Sequence, residues 1–267
     1  MPELPDVELY RRTLDGHALH QRIARVVVSD ARILGDLAAK DFAARLEGNR
    51  LQSSRRHGKH LLVQLARDGW LTIHFGMTGS LEYVEPAGED VAYGRVRLDL
   101  KDGSLVYVNR RMLGRVGLAD DAGAFIRAEG LGPDALDPAF DPAALSAALD
   151  GRREVKAVLM DQSLVAGIGN LYADEILFQA RLHPRTPGRA LSKPKRQRLF
   201  EKTKTVLQAA IDCGAGAEQL VERLPKGWLL PQRHEGGTCP RGHGKLATLK
   251  AAGRTSYCCP RCQPEPG

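Results

Sequence analysis

The chain is 267 residues long with a net charge of +7 and a pI near 9.3, long enough for two domains and basic enough to suggest a polyanionic partner. Acids stand at the N-terminus where a signal peptide needs positive charge, and no window approaches the roughly 18 apolar residues of a membrane span. The chain is therefore expected in the cytoplasm, not in a membrane or outside the cell.

The first residues are Met1-Pro2-Glu3-Leu4-Pro5-Asp6-Val7-Glu8. Pro5 suits a first helical turn, Asp6 and Glu8 suit the positive helix end, and Val7, Tyr10 and Leu14 share one face, so a helix is predicted here. Short β-branched and alternating runs follow, divided by turn residues. They predict strands over 23–29, 51–56, 60–65, 71–75, 80–84, 95–100, 105–109 and 115–119, spaced as in an antiparallel sandwich or barrel. Residues 121–140, acidic and punctuated by Gly and Pro, read as a linker. Helical periodicity then predicts helices over 142–149, 155–164, 171–179 and 192–211, and residues 225–267 are short, basic and Cys-bearing. The expected fold class is α+β: a β-sandwich with a leading helix over 1–120, the linker, a helical domain over 141–224 and a metal-binding hairpin over 225–267. Positive charge gathers late, with nine Lys/Arg against one acid in 181–204 and eight against one in 223–262. A solvated basic face is the ordinary explanation of either run; two of them beside motif-bearing segments suit a phosphate-tracking surface.

Four stretches carry chemistry. Removal of Met1 would leave Pro2 as a terminal secondary amine, and an α-amino group has a pKa of roughly 7.7–8.0, so much of it is unprotonated and nucleophilic near neutrality. Glu3 beside it is a built-in acid or base. Lys59 follows Arg56, His57 and Gly58 at the start of a predicted strand, where a glycine allows close approach of a ligand and the strand gives the lysine a rigid base; a charged turn residue is the alternative. Residues 161–170 end one helix, turn on Gly167 and Gly169 and start another, so that backbone N–H groups, with Asn170 as cap, form a phosphate site. Four of the five cysteines lie in the last 29 residues, which in a reducing compartment indicates metal binding rather than disulfides. Cys259-Pro260-Arg261-Cys262 has zinc-knuckle spacing, Cys239 begins its less regular partner, and Cys258 is left unligated because only Cys259 gives that spacing. The signatures of zinc deaminases and of helical metalloproteases are missing.

The opening octapeptide, the run from Arg56 to Lys59, the run from Asp161 through Asn170-Leu171-Tyr172-Ala173-Asp174-Glu175 and the Cys-rich end resemble, in order, the formamidopyrimidine-DNA glycosylase and endonuclease VIII family. That resemblance implies a helix-two-turn-helix in the helical domain, a zinc-finger β-hairpin with one structural zinc on Cys239, His243, Cys259 and Cys262, and Arg254 reaching a DNA phosphate from the hairpin. It implies catalysis by Pro2, Glu3 and Lys59, DNA contacts by Asn170 and Lys156, and gap filling by Met77, Arg111 and Leu113 once the damaged base is flipped out. Relatives often carry Phe at the position of Leu113 and Arg at that of Met112, and a buried Met and Leu in a β core is the competing reading. The function implied is a monomeric bifunctional glycosylase and abasic-site lyase acting on duplex DNA with oxidised bases in a bacterial-type cytoplasm. The alternative is a non-catalytic damaged-DNA-binding protein of the same fold. The region between the last long helix and the hairpin, 213–231, differs from the purine-capping loop of relatives and leaves the preferred base open, including any contact by Trp228.

Overall fold

The computed structural model describes every residue except 68, 215–220 and 267; part of the region 213–231, which differs from the capping loop of relatives, therefore lies outside the described residues. Two compact units form, one of Met1–Pro2 and Asp6–Glu129, the other of Glu3–Pro5 and Gly130–Gly267.

In the first unit, helix α1 (Leu4–His17) buries Val7, Tyr10 and Leu14, the three residues its periodicity placed on one face. Strand β1 (Arg25–Val28) and helix α2 (Ala39–Leu46) precede β2 (Leu51–His57), β3 (His60–Leu65), β4 (Trp70–His74), β5 (Gly79–Val84), β6 (Gly94–Asp99), β7 (Ser104–Asn109) and β8 (Arg115–Ala119). All eight expected strands are present, within two residues of the predicted ends. They form two antiparallel four-stranded sheets, ordered β1-β6-β7-β5 and β2-β3-β4-β8. The inward residues of both sheets share one apolar core with α1 and α2. Helix α2 was not foreseen, because only Phe42 and Leu46 mark its buried face and its N-cap, Ala38, makes no side-chain bond. Helix α3 (Ala122–Ala128) lies inside the stretch expected to be a linker. Its N-cap is Asp121, whose carboxylate accepts the Ala124 N–H at 2.7 Å, so one of the acids that suggested a solvated linker starts a helix.

The second unit holds α4 (Pro142–Ala148), α5 (Val155–Met160), α6 (Asn170–Ala180), α7 (Lys193–Asp212) and a hairpin of β9 (Ala247–Ala251) and β10 (Arg254–Cys258). Helix α5 stops four residues short of its predicted end because Asp161 turns the chain: its Oδ1 accepts from Ser163 N at 3.0 Å and Ser163 Oγ at 2.6 Å. Leu4 belongs to the apolar core of this unit, alongside Ile168, Tyr172 and Val158. Among the described residues no helix is long and apolar enough to cross a membrane.

Glu175 on α6 is fully buried; Oε2 accepts from Leu230 N at 2.9 Å and Oε1 from Gln179 Nε2 at 2.7 Å. Burial, only partly offset by these bonds, pushes its carboxyl up to about 7 from an ordinary 4.5. Its folded value exceeds its unfolded one, so its contribution to stability is complete below about pH 4.5 and is lost as pH rises through about 7. Glu175→Gln should remove that dependence, worth on the order of 3 kcal/mol at pH 8. In thermal melts from pH 5 to 8 the parent should lose more stability than the variant; parallel curves would contradict this.

A candidate nucleic-acid interface and metal centre

The turn between α5 and α6 is built around Glu3. The carboxylate is fully buried and accepts three backbone N–H bonds, Oε2 from Gly169 at 2.6 Å and Tyr172 at 3.2 Å, Oε1 from Leu171 at 2.8 Å. These are orphan donors at the start of α6, aligned with the positive end of its dipole. Gly169, the N-cap, has no room for a Cβ, which would collide with the Glu3 carboxylate. At Gly167 (φ +114°) a Cβ would strike Leu4, while its carbonyl accepts Leu4 N at 3.0 Å. Gln162 braces the turn by donating to Ile168 O at 2.8 Å and accepting Gly167 N at 3.0 Å. The cap expected of Asn170 is therefore supplied by Glu3. Asn170 is the first residue of α6, makes no cap bond, and its buried Oδ1 has no hydrogen-bond partner. The glycine pair was the visible signal; a cap from 166 residues upstream was not.

Pro2, bonded to this clamped glutamate, is buried. Lys59 stands in the two-residue turn between β2 and β3 after Gly58 (φ +57°), with only 8% of its surface exposed. Histidines 60 and 74 pair across β3 and β4 with ring centroids 4.8 Å apart. Burial, then His74, His57 and Lys59, push His60 down to about 3; burial and Lys59 also lower His74, so both rings are neutral near pH 7.

Met77 and Leu113 are two of the three exposed large hydrophobic residues among those described, 40% and 51% accessible, so the reading as core residues is not met; Arg111 is exposed as well. Their loops are locked together from beneath. Asn109 donates to Phe75 O at 3.1 Å and to the Tyr107 hydroxyl at 2.7 Å, and Tyr107 donates to His74 O at 3.0 Å. Gly76 (φ +61°) lies so close to the backbone of Leu113 that a Cβ would overlap it. The third exposed hydrophobic, Tyr93, lies 5.8 Å from the Arg95 guanidinium and 5.5 Å from that of Arg110, an aromatic and cationic group that strand periodicity alone did not reveal.

In the second unit Lys156, expected among the DNA contacts, is wholly buried. Its Nζ donates to Asp174 Oδ1 at 2.6 Å and to Ser256 Oγ, and burial lowers its pKa against the pull of Asp174. Asp174 Oδ2 also accepts from Arg233 Nε at 2.8 Å and Tyr257 N at 3.3 Å. Lys156 thus holds strand β10 in place instead of reaching the surface. Arg254, the first residue of that strand, is exposed.

Cys239, His243, Cys259 and Cys262 bring their ligand atoms within 4.8 Å of one another. The Cys239 and Cys262 sulfurs are 3.8 Å apart, and His243 Nδ1 is 3.0 Å from Cys262 Sγ. A tetrahedron with metal–sulfur bonds of about 2.3 Å has edges of about 3.8 Å, so three thiols and an imidazole fit one metal ion. Cys258 is outside the group; burial pushes its thiol up to about 11.

Comparison with known proteins agrees with this arrangement. Residues 1–116 match the family profile of the formamidopyrimidine-DNA glycosylase N-terminal domain, and residues 131–221 that of the formamidopyrimidine-DNA glycosylase H2TH domain. The formamidopyrimidine-DNA glycosylase of Thermomicrobium roseum is 37% identical over 99% of both chains, and that of Moorella thermoacetica 38% identical over 98% of this chain and 92% of its own. The Lactococcus lactis Fpg solved with DNA containing N7-benzyl-Fapy-dG superposes with a TM-score of 0.89 at 27% identity, covering 99% of this chain and all of that one. The same protein bound non-covalently to DNA with an abasic site gives 0.88 at 27% identity. With one profile on each unit and relatives matched nearly end to end, the chain belongs to the formamidopyrimidine-DNA glycosylase family.

Proposed function

We propose that the protein is a bifunctional glycosylase that removes oxidised bases from duplex DNA and then cleaves the strand, with Pro2 as nucleophile. The observation that carries this is the Glu3 clamp: the carboxylate of the residue that follows Pro2 is tied by three N–H bonds to the start of α6, which restricts an otherwise loose terminus. A nucleophile held still recovers much of the entropy of a bimolecular encounter. Once Met1 is removed, the unprotonated amine attacks C1′ of a flipped nucleotide. The C1′–base bond breaks, the base leaves with the electron pair and takes up a proton, and the amine loses its own. Ring opening, with O4′ taking up a proton, gives an iminium at C1′, which acidifies C2′–H. Loss of that proton expels the 3′ phosphate, loss of C4′–H then expels the 5′ phosphate, and water hydrolyses the iminium to free Pro2. Glu3, next to the reacting nitrogen, handles protons at the sugar ring.

Lys59 and Arg254 neutralise phosphates of the kinked strand, Asn170 hydrogen-bonds to one, and Lys59 assists the second elimination. Met77, Arg111 and Leu113 fill the space left by the flipped base. The metal is zinc and structural; it holds the hairpin that carries Arg254 and takes no chemical step. The DNA partner is supported by the Lactococcus lactis relatives, which were solved with abasic and Fapy-dG DNA. The protein works as a monomer in this reading.

Strand scission of duplexes with one oxidised base tests the proposal. The parent chain should cut them, leaving phosphate at both ends. Glu3→Gln places an N–H group against backbone donors and should reduce base release by about 100-fold or more and lower the melting temperature. Lys59→Ala should slow cleavage and reduce the slope of log Kd against log salt by about one; unchanged binding and cleavage would remove its assigned role. Elemental analysis should find one zinc per chain. Chelation should release it and weaken DNA binding, and full binding by metal-free protein would contradict the structural role.

A further inference from the structure

The strands β9 and β10 are joined by Ala252 and Gly253, with φ of +51° and +69°, between the paired residues Ala251 and Arg254. Two successive positive φ values make the tight hairpin turn whose twist matches its strands. The Ala252 N–H takes no part in the strand ladder, and in an isolated hairpin it would bind water. Here it donates to Glu154 Oε2 at 2.6 Å. Glu154 is the N-cap residue of α5, yet its side chain makes no cap bond to that helix; it is directed to the hairpin instead. Its own backbone is fixed by a bridge to Pro187 and by accepting Val158 N at 3.1 Å. Further along the hairpin Arg185 donates to Lys250 O at 2.8 Å and Arg233 to Thr255 O at 2.9 Å. Each of those bonds holds a strand; among the described residues it is Glu154 that holds the tip, two residues from Arg254.

We propose that Glu154 is a positioning residue for Arg254: its carboxylate fixes the turn so that the guanidinium presents to a DNA phosphate at one height and angle. The inference rests on the reading of Arg254 as a phosphate contact. It makes a prediction that charge alone would reverse. Removing an acid from a DNA-binding surface reduces repulsion and should tighten binding. Removing a bond that aims an arginine should weaken it.

Binding of the full chain to a duplex carrying a stable abasic-site analogue, measured across a salt series, separates the two. Glu154→Ala should weaken binding by about fivefold, the size of one hydrogen-bond loss, with a shallower salt slope. Glu154→Asp keeps the charge but is one methylene short of the turn, and should weaken binding similarly. Glu154→Gln loses the charge but keeps an acceptor oxygen, and should bind as well as the parent or better. In an Arg254→Ala background Glu154→Ala should add nothing further. Tightening by both Glu154→Ala and Glu154→Gln, or an undiminished effect of Glu154→Ala in the Arg254→Ala background, would overturn the inference alone. An Arg254→Ala variant that binds like the parent, with an unchanged salt slope, would remove the reading beneath it.

Discussion

One carboxylate at a helix end organises this protein. Glu3 is buried without cost in lone hydrogen-bonding capacity only because α6 begins where it lies, offering N–H groups that no intrahelical carbonyl can satisfy. Hydrogen bonds to a charged group are worth about 1.5–3 kcal/mol each, which offsets the several kcal/mol of burying an ion. The match is specific in shape as well as in charge. Gly169 has to lack a Cβ where the carboxylate lies, and Gly167 has to lack one beside Leu4. The two glycines, Glu3 and Leu4 therefore form one constraint, although they are far apart in sequence.

The same division of labour recurs. Apolar cores make each unit fold, and small buried polar groups decide where the surface residues go. Beneath the loops of Met77 and Leu113, Asn109 and Tyr107 satisfy the carbonyls of Phe75 and His74, so the two exposed side chains rise from fixed roots. Beneath β10, Asp174 links Lys156 and Arg233 and takes the Tyr257 N–H. Breaking such a buried pair by removing one partner leaves the other charge unsatisfied, typically at a cost of about 3–5 kcal/mol. The geometry of the exposed residues is thus set by buried groups beneath them.

Much of this was legible in the sequence where the governing interactions are local. Strand alternation located the eight strands of the sandwich, because a half-buried strand needs side chains of opposite character on opposite faces. Two-residue cysteine spacing located half of the metal site, and the family resemblance added His243. Two of the arrangements that the sequence did not reveal depend on partners distant in the chain. Asn170 looked like the cap of α6 because it begins the helix; Glu3 takes that place from 166 residues away. Lys156 is expected from the resemblance to contact DNA, and in the fold Asp174 and Ser256 take its ammonium. Asp121 counted as a linker charge because nothing in composition distinguishes a cap from a solvated acid.

The central claim is that the Pro2 amine forms the covalent link to DNA. It is tested most directly by borohydride reduction of the protein on an abasic-site duplex, followed by mapping of the cross-linked peptide. The account predicts a single adduct on Pro2, in protein from which Met1 has been removed, and no adduct when residue 2 is replaced so that Met1 is retained. An adduct on Lys59 or another lysine with Pro2 unmodified, or no adduct from protein that has lost Met1 and binds the duplex, would contradict it.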